Sequence, residues 1–189
     1  VCAYRSWIDG ELLGLTNAAG VGIGTVNADS TIHQGVEFGV SVTILQNVFV
    51  AKDDRFVLRT MYTWNDFFFD NDNVFGDNRL AGIPEHIFRA EIMYMHPSGF
   101  YMGPNVEWVP SEYPMDHRNS FFVDPYAIMG VKVGYRTGSG FSAFIEGRNL
   151  LDERHTATSG VIANANGADT RNFLPGDGIS VYVGGEYRR

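Results

Sequence analysis

Cysteine is almost missing from this 189-residue chain, where Cys2 stands alone. One thiol cannot close an internal disulfide, and with no histidine cluster beside it a zinc site is excluded. Charge is also scarce, at 19% against the roughly one quarter of an average domain. The 14 Lys and Arg are outnumbered by 22 Asp and Glu, for a net charge of −8 with no basic cluster. Phosphate binding needs a basic face, so nucleic acid is excluded as a partner. Long apolar runs are absent too. The longest uncharged apolar-rich stretch, 38–51, is shorter than the ~20 residues of a spanning helix, so any membrane crossing must be made by strands. The five histidines are scattered without an i,i+4 pair, and no nucleophile elbow or Ser/His/Asp order suggests hydrolysis. "GVGIG" (20–24) lacks the spacing of a dinucleotide loop. Neither Met nor a signal segment precedes Val1, so a mature form or a piece of a longer protein is expected.

What is present points to strands. Aromatics reach 14% and there are 22 glycines, a mixture that suits β structure. Residues alternate between two kinds, as side chains on opposite faces of a strand do. In 31–45, Ile32, Val36, Phe38, Val40, Val42 and Ile44 share one side, with His33, Gly35, Glu37, Gly39, Ser41 and Thr43 on the other. In 55–67, Phe56, Leu58, Tyr62 and Trp64 oppose Arg59, Thr63 and Asn65. Segments 87–95, 100–109, 126–136, 141–149 and 178–189 obey the same rule, and 1–13 alternates less cleanly. That makes eight candidate strands, each near or above the ~9–11 residues that cross a bilayer at a tilt.

The connections alternate as well. Short ones (46–54, 96–99, 136–140) alternate with long ones (14–30, 70–86, 110–123, 151–177) rich in Gly, Asn, Asp and Pro. A soluble sandwich, even one that binds carbohydrate, has no reason for this alternation. A transmembrane antiparallel β-barrel has short periplasmic turns and long extracellular loops. The expected fold is therefore all-β, a transmembrane barrel with about eight strands present. His33, Glu37, Arg59, Arg89, Glu91, Glu107, Lys132, Arg136, Glu146 and Arg148 are expected to face its lumen. Trp7, Trp64, Phe67, Phe68, Phe69, Trp108, Tyr135, Phe141 and Tyr187 are expected in interfacial girdles.

Four stretches carry a resemblance: "SWIDGELL…GTVNADSTIHQGVEFGV", "GIPEHIFRAEIMY", "FIEGRNLLDERH" and "FLPGDGISVYVGGEYR". Together they resemble the C-terminal part of TonB-dependent outer-membrane receptors. The resemblance runs over essentially all of 1–189. It implies a 22-stranded barrel around an N-terminal plug domain, residing in the Gram-negative outer membrane. It also implies uptake of a scarce bulky ligand such as an iron–siderophore or cofactor-like complex. Energy would come from the TonB complex through an N-terminal part outside this chain. The implied partners are outer-membrane lipid, the plug, TonB and an extracellular small molecule, with no catalytic residue, no metal and no resident cofactor. Such receptors usually end on an aromatic residue, whereas Tyr187 here is followed by Arg188 and Arg189. The alternative is a complete eight-stranded outer-membrane barrel with a structural or lipid-modifying role.

Ligand contacts are expected at the outer strand ends and in the long loops: Trp64, Asn65 and Phe67; Tyr113, His117 and Arg118; Arg154, His155 and Arg171. Aromatics and Arg supply stacking and anion contacts. "DNDNVFGDN" (70–78) echoes a calcium loop through Asp70, Asp72 and Asp77, but its glycine is one place late and no Glu closes it, so a polar loop is favoured. Asn149 and Asp152 are expected to fix a turn.

Overall fold

The computed structural model describes residues 1–17, 19, 21–50, 53–169 and 172–188. The strands are β1 (Cys2–Asp9), β2 (Leu12–Thr16), β3 (Gly22–Asn27), β4 (Ser30–Gln46), β5 (Arg55–Phe69), β6 (His86–Met95), β7 (Phe100–Val109), β8 (Tyr113–Pro114), β9 (Phe122–Val123), β10 (Tyr126–Arg136), β11 (Phe141–Arg148), β12 (Thr156–Ser159), β13 (Phe173–Pro175) and β14 (Ser180–Tyr187). Eight of them form one sheet in the order β1-β4-β5-β6-β7-β10-β11-β14. Every pairing is antiparallel. Three further two-stranded sheets, β2-β3, β8-β9 and β12-β13, lie within the long connections.

The main sheet is a meander, so its connections fall alternately at its two ends. Turns 47–54, 96–99 and 137–140 share one end, and connections 10–29, 70–85, 110–125 and 149–179 share the other. Among the described residues β1 and β14 are its edges and do not pair with each other. The sheet is thus an open length of barrel wall, and these eight strands do not close the small barrel that the alternative reading requires.

Register fixes the two faces. Arg59 lies opposite Ser41 and Glu91, Arg89 opposite Glu107, Lys132 opposite Gly103 and Glu146, and Arg148 opposite Ser180. The same register carries His33, Glu37, Arg136 and Tyr182 onto that polar face. It also resolves β1, whose sequence is ambiguous: Cys2, Tyr4 and Ser6 join the polar face through Glu37, Gly35 and His33. The other face holds Phe38, Val40, Val42, Met129, Val131 and Val133, all exposed, with Val183 reaching 75%. In water such a face would drive aggregation, whereas against lipid it is the expected exterior. Along its long-loop side Tyr62, Phe88 and Trp108 form a chain of rings, with centroids 4.5 and 5.3 Å apart.

The two buried clusters sit at the long-loop end, where strand ends of the sheet meet the long connections. One cluster joins Val109, Tyr113, Met115, Val123, Ile162 and Ala165, and a second joins Ala28, Phe69, Phe75 and Leu80. Strands β4 and β5, 17 and 15 residues long, outrun what a bilayer requires. Their surplus rises into this cap, where Thr31, Ile32 and Phe69 are buried. Two expected girdle aromatics are thereby corrected. Phe69 is fully buried against Phe75, and Phe67 stacks on His33 at 4.4 Å on the polar side. Odd-numbered positions of β5 point away from the apolar face, so neither ring can reach it.

Candidate functional site

The polar face carries an ion-pair ladder across neighbouring strands. The Arg59 guanidinium meets Glu91 at 2.6 Å and the Arg89 guanidinium meets Glu107 at 2.7 Å. Glu107 also accepts from the Tyr126 hydroxyl at 3.2 Å. Glu146 lies between Lys132 at 3.5 Å and Arg148 at 3.9 Å. Three of the cations also face rings: Lys132 over Phe144, Arg136 over Tyr101 and Arg148 over Tyr182. A cleft of about 300 Å³ runs along this ladder, lined by Arg59, Arg89, Glu91, Glu107 and Arg148, with Met61 and Ile128 as apolar patches. Ile128 and Arg148 also line a second cleft of about 200 Å³ beneath the fourth long connection, with His155 and Tyr182. The face offers charged and aromatic groups to a polar surface or solute.

Above it, the long connections form a cap centred on Asp116 and His117. Asp116 is fully buried. Its carboxylate accepts from the backbone N–H of Ser120, Phe121 and Ala165 and from the Ser120 hydroxyl, at 2.8–3.0 Å. Burial raises its pKa, but these four donors outweigh that and hold it below the ordinary carboxylate value. His117 is 2% exposed. Its Nδ1 accepts from the Ala81 N–H at 3.4 Å, its ring meets Phe69 and Phe75, and its Nε2 is buried without a hydrogen-bond partner among the described residues. Burial lowers its pKa to about 4, against the opposing charges of Asp116, Glu11 and Asp72. Asn119 ties two connections together: its Oδ1 accepts from the Arg79 N–H and its Nδ2 donates to the Arg79 carbonyl, both at 2.9 Å. Glu11 ties a third connection to the wall, through Thr31 and through His33 at 3.1 Å.

The nine expected ligand contacts do not converge. Tyr113 and His117 are buried in the cap. Arg118 is on its surface, over Phe75 at 5.7 Å. The Trp64 indole N–H donates to Glu85, while Asn65 donates to the Pro84 carbonyl and accepts from the Tyr4 hydroxyl. Phe67 packs on His33. Arg154 is exposed, and His155 lies 5.2 Å from the Tyr126 ring at the second cleft. Arg171 lies outside the described residues.

Residues 70–78 form a self-capped polar loop. The Asp72 carboxylate accepts from the backbone N–H groups of Asp29, Val74 and Phe75. Asp77 accepts from the Asn71 N–H. Among the described residues no three His, Cys, Asp or Glu side chains are grouped to hold a metal. Sequence reasoning missed Glu11, Asp116 and Asn119, and named Asp72 only as a possible calcium ligand. Asp72 and Asp116 stand two to five places before backbone amides that they cap, which is a local Asx signal. Glu11 reaches Thr31 and His33, and Asn119 reaches Arg79, too far along the chain to leave one.

Residues 3–150 match the family model for the TonB dependent receptor-like β-barrel. Among solved structures, the ferric-catecholate import receptor Fiu from E. coli K12 is similar at 16% identity with a TM-score of 0.61, over 98% of this chain and 24% of that one. The ferric preacinetobactin receptor BauA from Acinetobacter baumannii is similar at 12% identity with a TM-score of 0.52, over 98% of this chain and 34% of that one. The chain thus spans about a quarter to a third of the solved receptors it matches.

Proposed function

Since the chain belongs to the TonB-dependent receptor β-barrel family, whose members are outer-membrane barrels, we propose that it is the C-terminal wall of an active-transport receptor. The receptor takes up a scarce bulky ligand of the iron–siderophore class. The single observation that carries this is the sheet itself: an open eight-stranded meander with one apolar exposed face, one charged face and all long connections at one end. The two similar receptors carry ferric complexes in their names, which favours that ligand class.

In this reading the polar face lines the lumen and meets a plug domain, with TonB supplying energy through a part of the receptor outside this chain. The ladder from Arg59 to Arg148 provides donors and acceptors for that plug surface. Ligand contacts come from the groups that stay accessible at the long-loop end: Arg118, Arg154, and His155 beside Arg148. Tyr113 and His117 instead hold the cap in shape. No bond is made or broken by the wall, so the receptor is a transporter and not an enzyme.

The test is uptake of radiolabelled iron by the organism of origin under iron limitation, with ferric catecholate as the supplied complex. Deleting the gene is expected to abolish uptake, and a protonophore added to wild-type cells is expected to abolish uptake while leaving surface binding intact. Uptake that survives both treatments would overturn the proposal.

A further inference from the structure

The three short turns of the sheet differ in kind. Turns 96–99 (His-Pro-Ser-Gly) and 137–140 (Thr-Gly-Ser-Gly) are polar and tight. Turn 47–54 is twice as long and begins Asn-Val-Phe-Val. Just before it the β4–β5 register shifts, with Thr43 opposite Val57 and Leu45 opposite Phe56. Ile44 is the extra residue of this bulge, and a bulge lets two successive side chains emerge on one side. Leu45 therefore joins Phe56 on the apolar face, next to Ile44.

Asp54 holds the start of the turn in place. Its buried carboxylate accepts from the backbone N–H groups of Val48, Phe49 and Val50 at 2.9, 2.8 and 3.3 Å, and from the Tyr94 hydroxyl at 3.3 Å. With the amides drawn inward, the side chains turn outward. Val48 is exposed and Phe49 is 73% exposed. Phe49 still has ring neighbours, Phe56 at 6.1 Å and Tyr94 at 5.6 Å, both on the apolar face. Val48 and Phe49 thus extend the apolar exterior beyond the strand ends.

We propose that the start of this turn is a membrane foot: Val48 and Phe49, with Ile44 and Leu45 above them, sit in the phospholipid leaflet on the short-turn side of the barrel. The proposal rests on the reading of the apolar face as lipid-facing. Its occupant is phospholipid because the patch is continuous with that face through Phe56 and Tyr94. The headgroup–acyl boundary accepts apolar groups to a depth of about 5–10 Å, as the buried faces of amphipathic helices show. The two polar turns have nothing to insert.

The test uses the full-length receptor reconstituted in phosphatidylethanolamine–phosphatidylglycerol vesicles, with Cys2→Ser and any other cysteine replaced by serine. Nitroxide labels are attached in turn through Phe49→Cys, Ser98→Cys and Val131→Cys. Power-saturation electron paramagnetic resonance then compares collisions with oxygen, which enters lipid, and with a nickel chelate, which stays in water. The label at 49 is expected to prefer oxygen, between the lipid-like label at 131 and the water-like label at 98. Adding Asp54→Asn, in a protein that still migrates as a heat-modifiable barrel, is expected to shift the label at 49 towards water and leave 131 unchanged.

A label at 49 that behaves like the one at 98, or that neither collider reaches, would overturn the proposal. The first result places the turn in water and the second under a protein partner. An unchanged value in Asp54→Asn would overturn the part assigned to Asp54. A water-like label at 131 would instead overturn the lipid-facing reading on which the proposal stands.

Discussion

The ring of Tyr101 occupies the space over Gly134, its direct partner across β7 and β10. A Cβ built on Gly134 would come within 2.3 Å of the Tyr101 Cζ and 2.8 Å of the Ala143 carbonyl oxygen. Tyr4 stands over Gly35 and Phe144 over Gly184 in the same way, and each is again a direct cross-strand pair. An aromatic laid on a strand glycine covers backbone that would otherwise be bare. The many glycines of the polar face are therefore partly seats for rings.

Gly134→Ala should displace Tyr101 and press on a backbone oxygen that cannot retreat. Overpacking of this kind costs about 1–3 kcal/mol. The urea midpoint of the detergent-solubilised receptor should fall accordingly. Gly138→Ala, in a turn where a Cβ meets nothing within 4 Å, should leave it unchanged. Equal effects from the two substitutions would show that the ring seat has no energetic role.

His117 should make the cap sensitive to acid. Its pKa in the folded cap is about 4 because of burial, below the ordinary 6.5. Between these values the unfolded cap binds a proton that the folded cap refuses, so stability is constant above about pH 6.5 and falls as pH drops towards 4. Complete refusal is worth roughly 3 kcal/mol at the low end of that window. Asp116 acts in a lower window, since its pKa is depressed by its four donors and its contribution is lost only as they lose the charge. Limited proteolysis of connection 110–125 should therefore accelerate from pH 7 to pH 4.5. His117→Phe, which keeps the ring packing against Phe69 and Phe75, should abolish that change. Acceleration that persists in His117→Phe would assign it to another group.

The wall was legible because alternation is local. Each strand of the main sheet except β1 announces its own two faces, and the ten polar-face positions from His33 to Arg148 come from period two alone. The cap was not legible, because its contacts join segments far apart in sequence: Ala28 with Phe69 and Leu80, Val109 with Ile162. Nothing local separates a histidine that will be buried, such as His117, from one that will line a cleft, such as His155. The alternation of β5 strictly places Phe67 and Phe69, yet aromatic content near a strand end is also what a girdle looks like. The bulge at Ile44 is a register event, marked in the sequence only by two apolar residues in succession, Ile44 and Leu45, where alternation would place a polar one.

The ion-pair ladder should contribute little to the stability of the wall. Arg59 and Arg89 are 52% and 56% exposed in this sheet, and pairs of that kind are worth at most about 1 kcal/mol. Arg59→Gln and Arg89→Gln should each shift the urea midpoint of the full-length receptor only slightly. If the ladder meets a plug, the same substitutions should raise the susceptibility of the plug to protease while the barrel remains heat-modifiable. A large fall in barrel stability, with plug protection unchanged, would make the ladder a structural brace of the sheet.

Asn149 closes the fourth long connection, and its variants should rank in a definite order. Its backbone is left-handed at φ 51° and its side chain is 2% exposed at the end of β11. The side-chain amide donates to the carbonyls of Glu153 and Asp177, both at 2.9 Å, and its oxygen accepts from the Glu153 N–H at 2.8 Å. Asn149→Gly keeps the backbone and loses the three bonds, at about 1–3 kcal/mol. Asn149→Ala loses the same bonds and adds roughly 1–2 kcal/mol for an L side chain in that conformation. Asn149→Asp keeps the acceptor but turns both donors into a charged oxygen facing two carbonyls, so it should be the worst of the three despite its similar size. Urea midpoints of the three variants, measured side by side, decide the matter. If Asp is tolerated as well as Gly, the donors to Glu153 and Asp177 are not what holds the connection, and its shape comes from the backbone angle alone.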